Sequence, residues 1–290
     1  MAEWHNEQVA KLSFRYTAPP LAQGLTTLLQ VGAAAAVVAH PASASAWRTL
    51  IETVPEVVLI VVVPVVGHLL LYWGAVFAFG YVDRNDAPGF VARHRIQSGT
   101  PRRPPMEKVL PNLAVNQLVL SPLLLLALWG LLWLRGWSAS PVLPSLSTLL
   151  LEQVGLSLCA MVWFYASHRF LHRPWWMKRV HRVHHEFRTT SAIASEYSHW
   201  FEFVFSSFGT LTCGVVLLAP SLVSIYLFEL VAITTILVHH SGYALPWASW
   251  SVHHDWHHYR YKECFGTIGV LDRLLGTDEE LKTLTDGQRV

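Results

Sequence analysis

The sequence predicts an all-α, integral-membrane helical bundle of about four spans plus a re-entrant or hairpin pair, topped by a cytosolic histidine-rich helical cap. Three observations predict it. Of 290 residues, 52% are hydrophobic and only 14% charged, against about a quarter charged in a soluble domain. Several runs reach the ~20 mostly apolar residues that a spanning helix needs. Histidines then recur at helical intervals in HRFLHRPWWMKRVHRVHH (168–185) and HHDWHH (253–258).

Residues 1–20 form a polar N-terminal tail, expected to be cytosolic, without the basic-then-apolar order of a cleaved signal. An N-terminal transmembrane region follows over 21–145. Its expected spans are 21–40, rich in Ala, Val and Leu, then 55–82, then 113–134, with a basic connector at 83–110. The run 146–167 leads straight into His168 and opens the last large region, 146–280. Within it, 203–238 is long enough for two helices broken near Pro220, read as a hairpin. Residues 281–290 are expected to be a C-terminal tail. Trp163, Tyr165, Trp175, Trp176, Trp247 and Trp250 flank these runs as an interfacial aromatic belt would.

Lys and Arg placement sets the orientation. Arg84, Arg93, Arg95, Arg102 and Arg103 fall in one connector, whereas 41–52 and 135–145 hold one arginine each, Arg48 and Arg135. Positive-inside bias puts 83–107 in the cytosol. After two further crossings 168–188 lies on the same side, and the hairpin returns 241–290 there too, so both histidine clusters meet on one face. A net charge of +2 without basic–aromatic interleaving gives no basis for nucleic-acid binding. Cys159, Cys213 and Cys264 are odd in number and far apart, which argues against a disulfide framework or zinc knuckle.

Twelve of the sixteen histidines lie between 168 and 258. The others (His5, His40, His68, His94) are scattered; His68, inside a span, is a candidate for a substrate path. His168 and His172 share a helical face at i, i+4. His181, His184 and His185 share one at i, i+3, i+4, and His254, His257 and His258 repeat that pattern. Eight imidazoles exceed the four ligands of one zinc site, and two ions are a natural count. Imidazole suits iron, zinc, copper and nickel alike. At the bilayer surface a lipid entering from the membrane would present an inert C–H bond, and oxidising it would require a redox metal with oxygen. Three rival readings fit the sequence less well. Surface histidines do not account for three matched faces. Disordered metal-transport loops lack the surrounding aromatics and aliphatics. A b-type haem needs facing histidines deep in two spans.

Beyond the triad HRFLH, HRVHH and HDWHH, the stretches SEYSHWFEF (195–203), HHSGYALPW (239–247), HDWHHYRYKECFGTIGVLDRLLGTD (254–278) and HRIQSGTPRRPP (94–105) complete a pattern. That pattern resembles the fatty acid hydroxylase superfamily, the membrane di-iron enzymes that include sterol C-4 methyl oxidases, sterol desaturases and cholesterol 25-hydroxylase. The resemblance covers roughly 150–278, making 146–280 the catalytic region. It implies His168, His172, His181, His184, His185, His254, His257 and His258 as ligands of two iron ions, with His239 as a ninth. His199 and His240 are further candidates, for the metal shell or for groups beside it. His253 stands next to the family's ligand position at His254. Asp255 and Glu202 are candidates for fixing an imidazole tautomer, and Glu202 alternatively for binding a polar substrate group. Cys264 stands where the family usually has Asn. Thr235 stands where some fatty-acyl hydroxylases carry another histidine, which suits the sterol branch.

The resemblance implies an O2-dependent hydroxylase of a sterol or related lipid, or a desaturase using the same site. A non-catalytic metal-handling membrane protein is the reading from another class. No GxGxxG nucleotide fingerprint occurs, so NAD(P)H-derived electrons are expected through a separate cytochrome b5 or ferredoxin-type carrier with its reductase. The basic surface around Arg173, Lys178, Arg179 and Arg182 suits docking an acidic carrier or anchoring at lipid headgroups. The expected location is the endoplasmic reticulum membrane in a eukaryote and the inner membrane in a bacterium.

Overall fold

The structure, a computed structural model, describes residues 20–97, 101–246 and 251–286. Most of the N-terminal tail and the belt residues Trp247 and Trp250 lie outside the described residues. The chain runs through α1 (Pro20–Ala39), α2 (Pro41–Thr53), α3 (Val58–Asn85), α4 (Met106–Leu134) and α5 (Leu146–Leu171). It continues through α6 (Trp200–Leu218), α7 (Leu222–His239), α8 (Ser251–Arg260), α9 (Val270–Leu275) and α10 (Glu279–Asp286). There is no strand among the described residues; a single antiparallel bridge joins Arg95 to Tyr243.

Five helices, α3 to α7, are long and apolar enough to cross a bilayer. They are apolar on all sides, as membrane helices are: Leu70 and Leu151 remain 70% and 73% exposed. The 19 residues of α6 and 18 of α7 each reach roughly 28 Å at 1.5 Å per residue, close to the ~30 Å hydrocarbon layer. The expected break falls at Ala219–Pro220, where Ala219 takes φ 48 and Ser221 Oγ caps α7 by accepting from Ser224 N.

Two elements differ from expectation. The first predicted span, 21–40, coincides with α1, but the connector after it is itself the helix α2, and the two meet at a bend of 86°. The cause is local. Pro41 holds its predecessor out of the helical region, and His40, extended at φ −76, caps α2 by accepting from Ala42 N through Nδ1 at 3.2 Å. The expected tail 281–290 is, up to Asp286, the helix α10. Leu281 is fully buried with Ile96, Val252, Trp256 and Cys264, and Glu263 Oε2 accepts from Glu280 N at 3.0 Å.

The histidine cap is built where loops from three spans meet. Ile96 N donates to Gly242 O (2.8 Å) and Ala244 N to His94 O (2.8 Å), so the connector is laced to the segment after α7. Asp83 pins the same junction, accepting from Arg95, Arg103 and the Tyr243 hydroxyl. Asp255 accepts from Thr190 Oγ1 (2.6 Å) and from Gln97 Nε2 (3.0 Å), tying α8 to both the connector and the loop before α6.

Candidate metal centre

The last turn of α5 carries His168 and ends at His172, keeping both on one face. The expectation of a regular helix through His181–His185 is not met. Residues Met177–His181 form a wider π turn, and His184–Glu186 a tighter 3-10 turn. His181 and His185, four apart, face one side and His184 the other. Helix α8 divides in the same manner, with His257 on one side and His254 and His258, one turn apart, on the other.

Nine imidazoles thereby form two groups. His168, His172, His181, His185 and His257 make the first; His184, His240, His254 and His258 make the second. Within each, the potential ligand nitrogens all lie within 4.8 Å of one another. All nine are buried except His172, which is intermediate.

Their protons are directed outward. In the first group, Nδ1 of His168 donates to Phe265 O (2.8 Å), that of His257 to Glu263 O (2.7 Å), and that of His181 to Glu202 Oε1 (2.7 Å). In the second, Nδ1 of His184 donates to Tyr197 O (3.1 Å), that of His240 to Ile236 O (2.9 Å), and that of His258 to Phe187 O (2.8 Å). A carbonyl only accepts, so each Nδ1 holds the single proton of a neutral ring and Nε2 is left as a lone pair.

Those lone pairs face each other. Nε2 of His168 and His181 are 3.2 Å apart, and Nε2 of His184 and His240 are 3.3 Å apart, with no proton available for either contact. The arrangement is repulsive unless a cation stands between. Nitrogens at ~2.1 Å from a metal sit about 3.0 Å apart in an octahedron and about 3.4 Å apart in a tetrahedron, matching the 2.9–3.2 Å spacings among His172, His181, His185 and His257. The donor set fits two metal ions, all imidazole, without carboxylate ligands.

Burial keeps the rings neutral. It pushes His181 and His257 down to about 3. Burial first, and neighbouring imidazoles second, push His172, His185, His240, His254 and His258 well below the ordinary histidine range. Burial also lowers His184, with Glu202 acting in the opposite direction. At neutral pH these nitrogens are free to ligate.

The remaining candidates fall elsewhere. His239, proposed as a ninth ligand, belongs to neither group; its neighbour His240, at the C-cap of α7 and about 100° further round, takes that place. His199 is outside both groups because it caps α6, with Nδ1 accepting from Phe201 N at 3.1 Å. Glu202 is a carboxylate found on a ligand ring, and Asp255 accepts from Thr190 and Gln97. His253 packs beneath Gly269, where a Cβ would lie 2.9 Å from its Nε2. The carbonyls of Phe187, Tyr197, Glu263 and Phe265 were not foreseen, because a backbone acceptor leaves no residue-type signal.

The family model described as fatty acid hydroxylase matches residues 153–277. Human fatty acid hydroxylase domain-containing protein 2 is 31% identical over 244 residues, covering 81% of this chain and 72% of its own. Methylsterol monooxygenase 2-2 of Arabidopsis thaliana is 26% identical over 257 residues, covering 83% and 95%. Very-long-chain aldehyde decarbonylase GL1-11 of Oryza sativa subsp. indica is 29% identical over 255 residues, covering 82% and 92%. No solved structure matches the chain. The matched residues contain all nine grouped histidines together with most of α5 and all of α6 and α7, and on that extent of likeness this multi-pass membrane protein belongs to the fatty acid hydroxylase family.

Proposed function

We propose that this oxygenase is a non-haem di-iron enzyme hydroxylating a C–H bond of a sterol or related lipid: R–H + O2 + 2 e⁻ + 2 H⁺ → R–OH + H2O. The observation that carries the reading is the pair of inward-facing lone-pair clusters, which fit two cations and lie at the membrane-surface end of α5 and α7. Two irons held there would supply the reduction of O2 and the oxidation of the C–H bond, chemistry that redox-inert zinc lacks.

The chain's own groups do the rest. His168, His172, His181, His185 and His257 would hold one ion, and His184, His240, His254 and His258 the other. Glu202 and the backbone carbonyls keep each proton on Nδ1, fixing ring orientation and raising Nε2 basicity. The burial of the cluster excludes bulk water, and the apolar spans bring a membrane-dissolved substrate to its edge. The relatives named for methylsterols and fatty acids support a lipid of that kind. Electrons from NAD(P)H would arrive through a cytochrome b5 or ferredoxin-type carrier with its reductase, docking on the cytosolic basic face around Arg173, Lys178, Arg179 and Arg182. The membrane is that of the endoplasmic reticulum in a eukaryotic host, or the inner membrane of a bacterium.

The test is expression in a sterol-containing host, wild type against His257→Ala, with bound iron and lipid extracts measured. Wild type should hold about two irons per chain and yield a lipid gaining one oxygen; His257→Ala should lose the product and much of the metal in the first group. Loss of two hydrogens would indicate desaturation. Metal flux with unchanged lipids would overturn the enzyme reading.

A further inference from the structure

A second feature lies against the first histidine group. A cavity of about 590 Å³ opens between the connector and the HRVHH segment, and buried His185 lines it. Five cations surround it: Arg102, Arg103, Lys108, Arg182 and Arg188. Two carboxylates answer them. Asp83 accepts from Arg103 Nη2 at 3.1 Å, and Glu186 takes Lys108. Arg102, Arg182 and Arg188 have no carboxylate partner among the described residues, so the pocket is left with an unbalanced positive charge.

Its walls are fixed. Arg188 N and Thr189 N donate to Arg102 O at 3.1 and 3.3 Å, and Arg102 N donates to Thr189 Oγ1 at 3.1 Å. Tyr261 forms one side, its ring 4.7 Å from that of His185 and beneath the Arg188 guanidinium at 5.5 Å. It is held at φ 62, a backbone conformation rare for a bulky residue and found where a side chain is placed for a purpose.

We propose that this cavity binds the anionic headgroup, carboxylate or phosphate, of an amphiphilic ligand. Its volume suits a small-molecule headgroup. Guanidiniums match carboxylate and phosphate oxygens in bidentate fashion, and those of Arg102, Arg182 and Arg188 stand exposed around the pocket. Met177, Pro104 and Pro105 add an apolar lip for the start of a chain. Since His185 is shared with the histidine cluster, the bound headgroup stands beside the reaction centre. Naming this amphiphile as a substrate rests on the oxygenase reading; its binding does not.

The test is equilibrium binding to the purified protein in phosphatidylcholine nanodiscs, with oleate and lysophosphatidate as anionic probes and oleyl alcohol and monoolein as neutral ones. Anionic probes should bind about tenfold or more tightly than their neutral counterparts. Arg182→Glu should remove that preference and Arg102→Gln reduce it, with iron content and melting temperature unchanged; both side chains are exposed, so the fold tolerates the changes. Equal binding of neutral and anionic probes, or a preference indifferent to both substitutions, would overturn the proposal. So would inorganic phosphate binding as tightly as lysophosphatidate, or Arg182→Glu weakening only an acidic carrier protein. An anion preference in protein without iron would leave the pocket standing and remove the oxygenase reading alone.

Discussion

His240 and His239 are adjacent, and one turn angle separates a grouped imidazole from one outside both groups. Nε2 of His240 lies 2.8 Å from that of His254 and 3.3 Å from that of His184, and its Nδ1 proton is fixed on Ile236 O. His240→Ala should therefore leave three nitrogens in the second group and lower bound iron from about two toward about one per chain, read by metal analysis after chelator challenge. His239→Ala should retain both. The opposite ranking would remove His240 from the ligand set. Cys264 poses a different question at the same scale. It is fully buried yet sits at φ 61, a region where Asn is at ease and β-branched residues are not. The asparagine that the family resemblance implies at this point would have a backbone reason. Cys264→Val, similar in volume, should cost about 1–3 kcal/mol, seen as a lower melting temperature. Cys264→Asn should relieve the backbone but bury an amide, and so should fall nearer to wild type.

Helix-level legibility tracked regularity. The i, i+4 pairs His168/His172 and His254/His258 were readable because α5 and α8 keep a uniform 3.6-residue turn. HRVHH and HDWHH are each clustered as their spacing predicts, but neither presents a single face: i and i+4 lie about 40° apart while i+3 lies about 100° from i+4, so His184 and His257 each serve the other group. His199 was ambiguous for a related reason: capping is decided by where a helix begins, the least readable property of a helix. Close packing between spans was also hidden. A Cβ on Gly209 would lie 2.5 Å from Trp163 Nε1, whose N–H donates to Phe205 O at 2.9 Å, and one on Gly214 would lie 3.2 Å from Leu156 Cα. Small residues allow such approach between membrane helices. Gly209→Ala should displace the indole and destabilise α5 against α6 by about 1–3 kcal/mol, lowering the melting temperature in detergent. Gly80→Ala, with nothing within 4 Å of the added carbon, should not lower it.

Across the molecule, polar contacts divide the loops between two ends. At one end Lys108 pairs with Glu186, and Arg188 N donates to Arg102 O, joining the connector to the histidine segment. At the other, Trp137 Nε1 donates to Pro220 O (2.9 Å), Trp47 Nε1 to Ser140 O (3.0 Å), and Ala139 N to Glu56 Oε1 (2.7 Å). The far end carries Arg48 and Arg135, whereas the histidine end carries the arginines of the connector and of 169–188. That asymmetry was readable because it depends on composition and crossing number, which local winding does not alter. It predicts that the histidine end faces the cytosol. With the protein expressed in a bacterial inner membrane, a membrane-impermeant maleimide applied to intact spheroplasts should label Ser140→Cys at once, and Arg93→Cys only after permeabilisation, since both positions are exposed and lie at opposite ends. Labelling of Arg93→Cys alone in intact spheroplasts would place the cluster on the outer face, away from any cytosolic electron carrier. The source of reducing equivalents proposed above would then have to be abandoned, although the metal-binding geometry would stand.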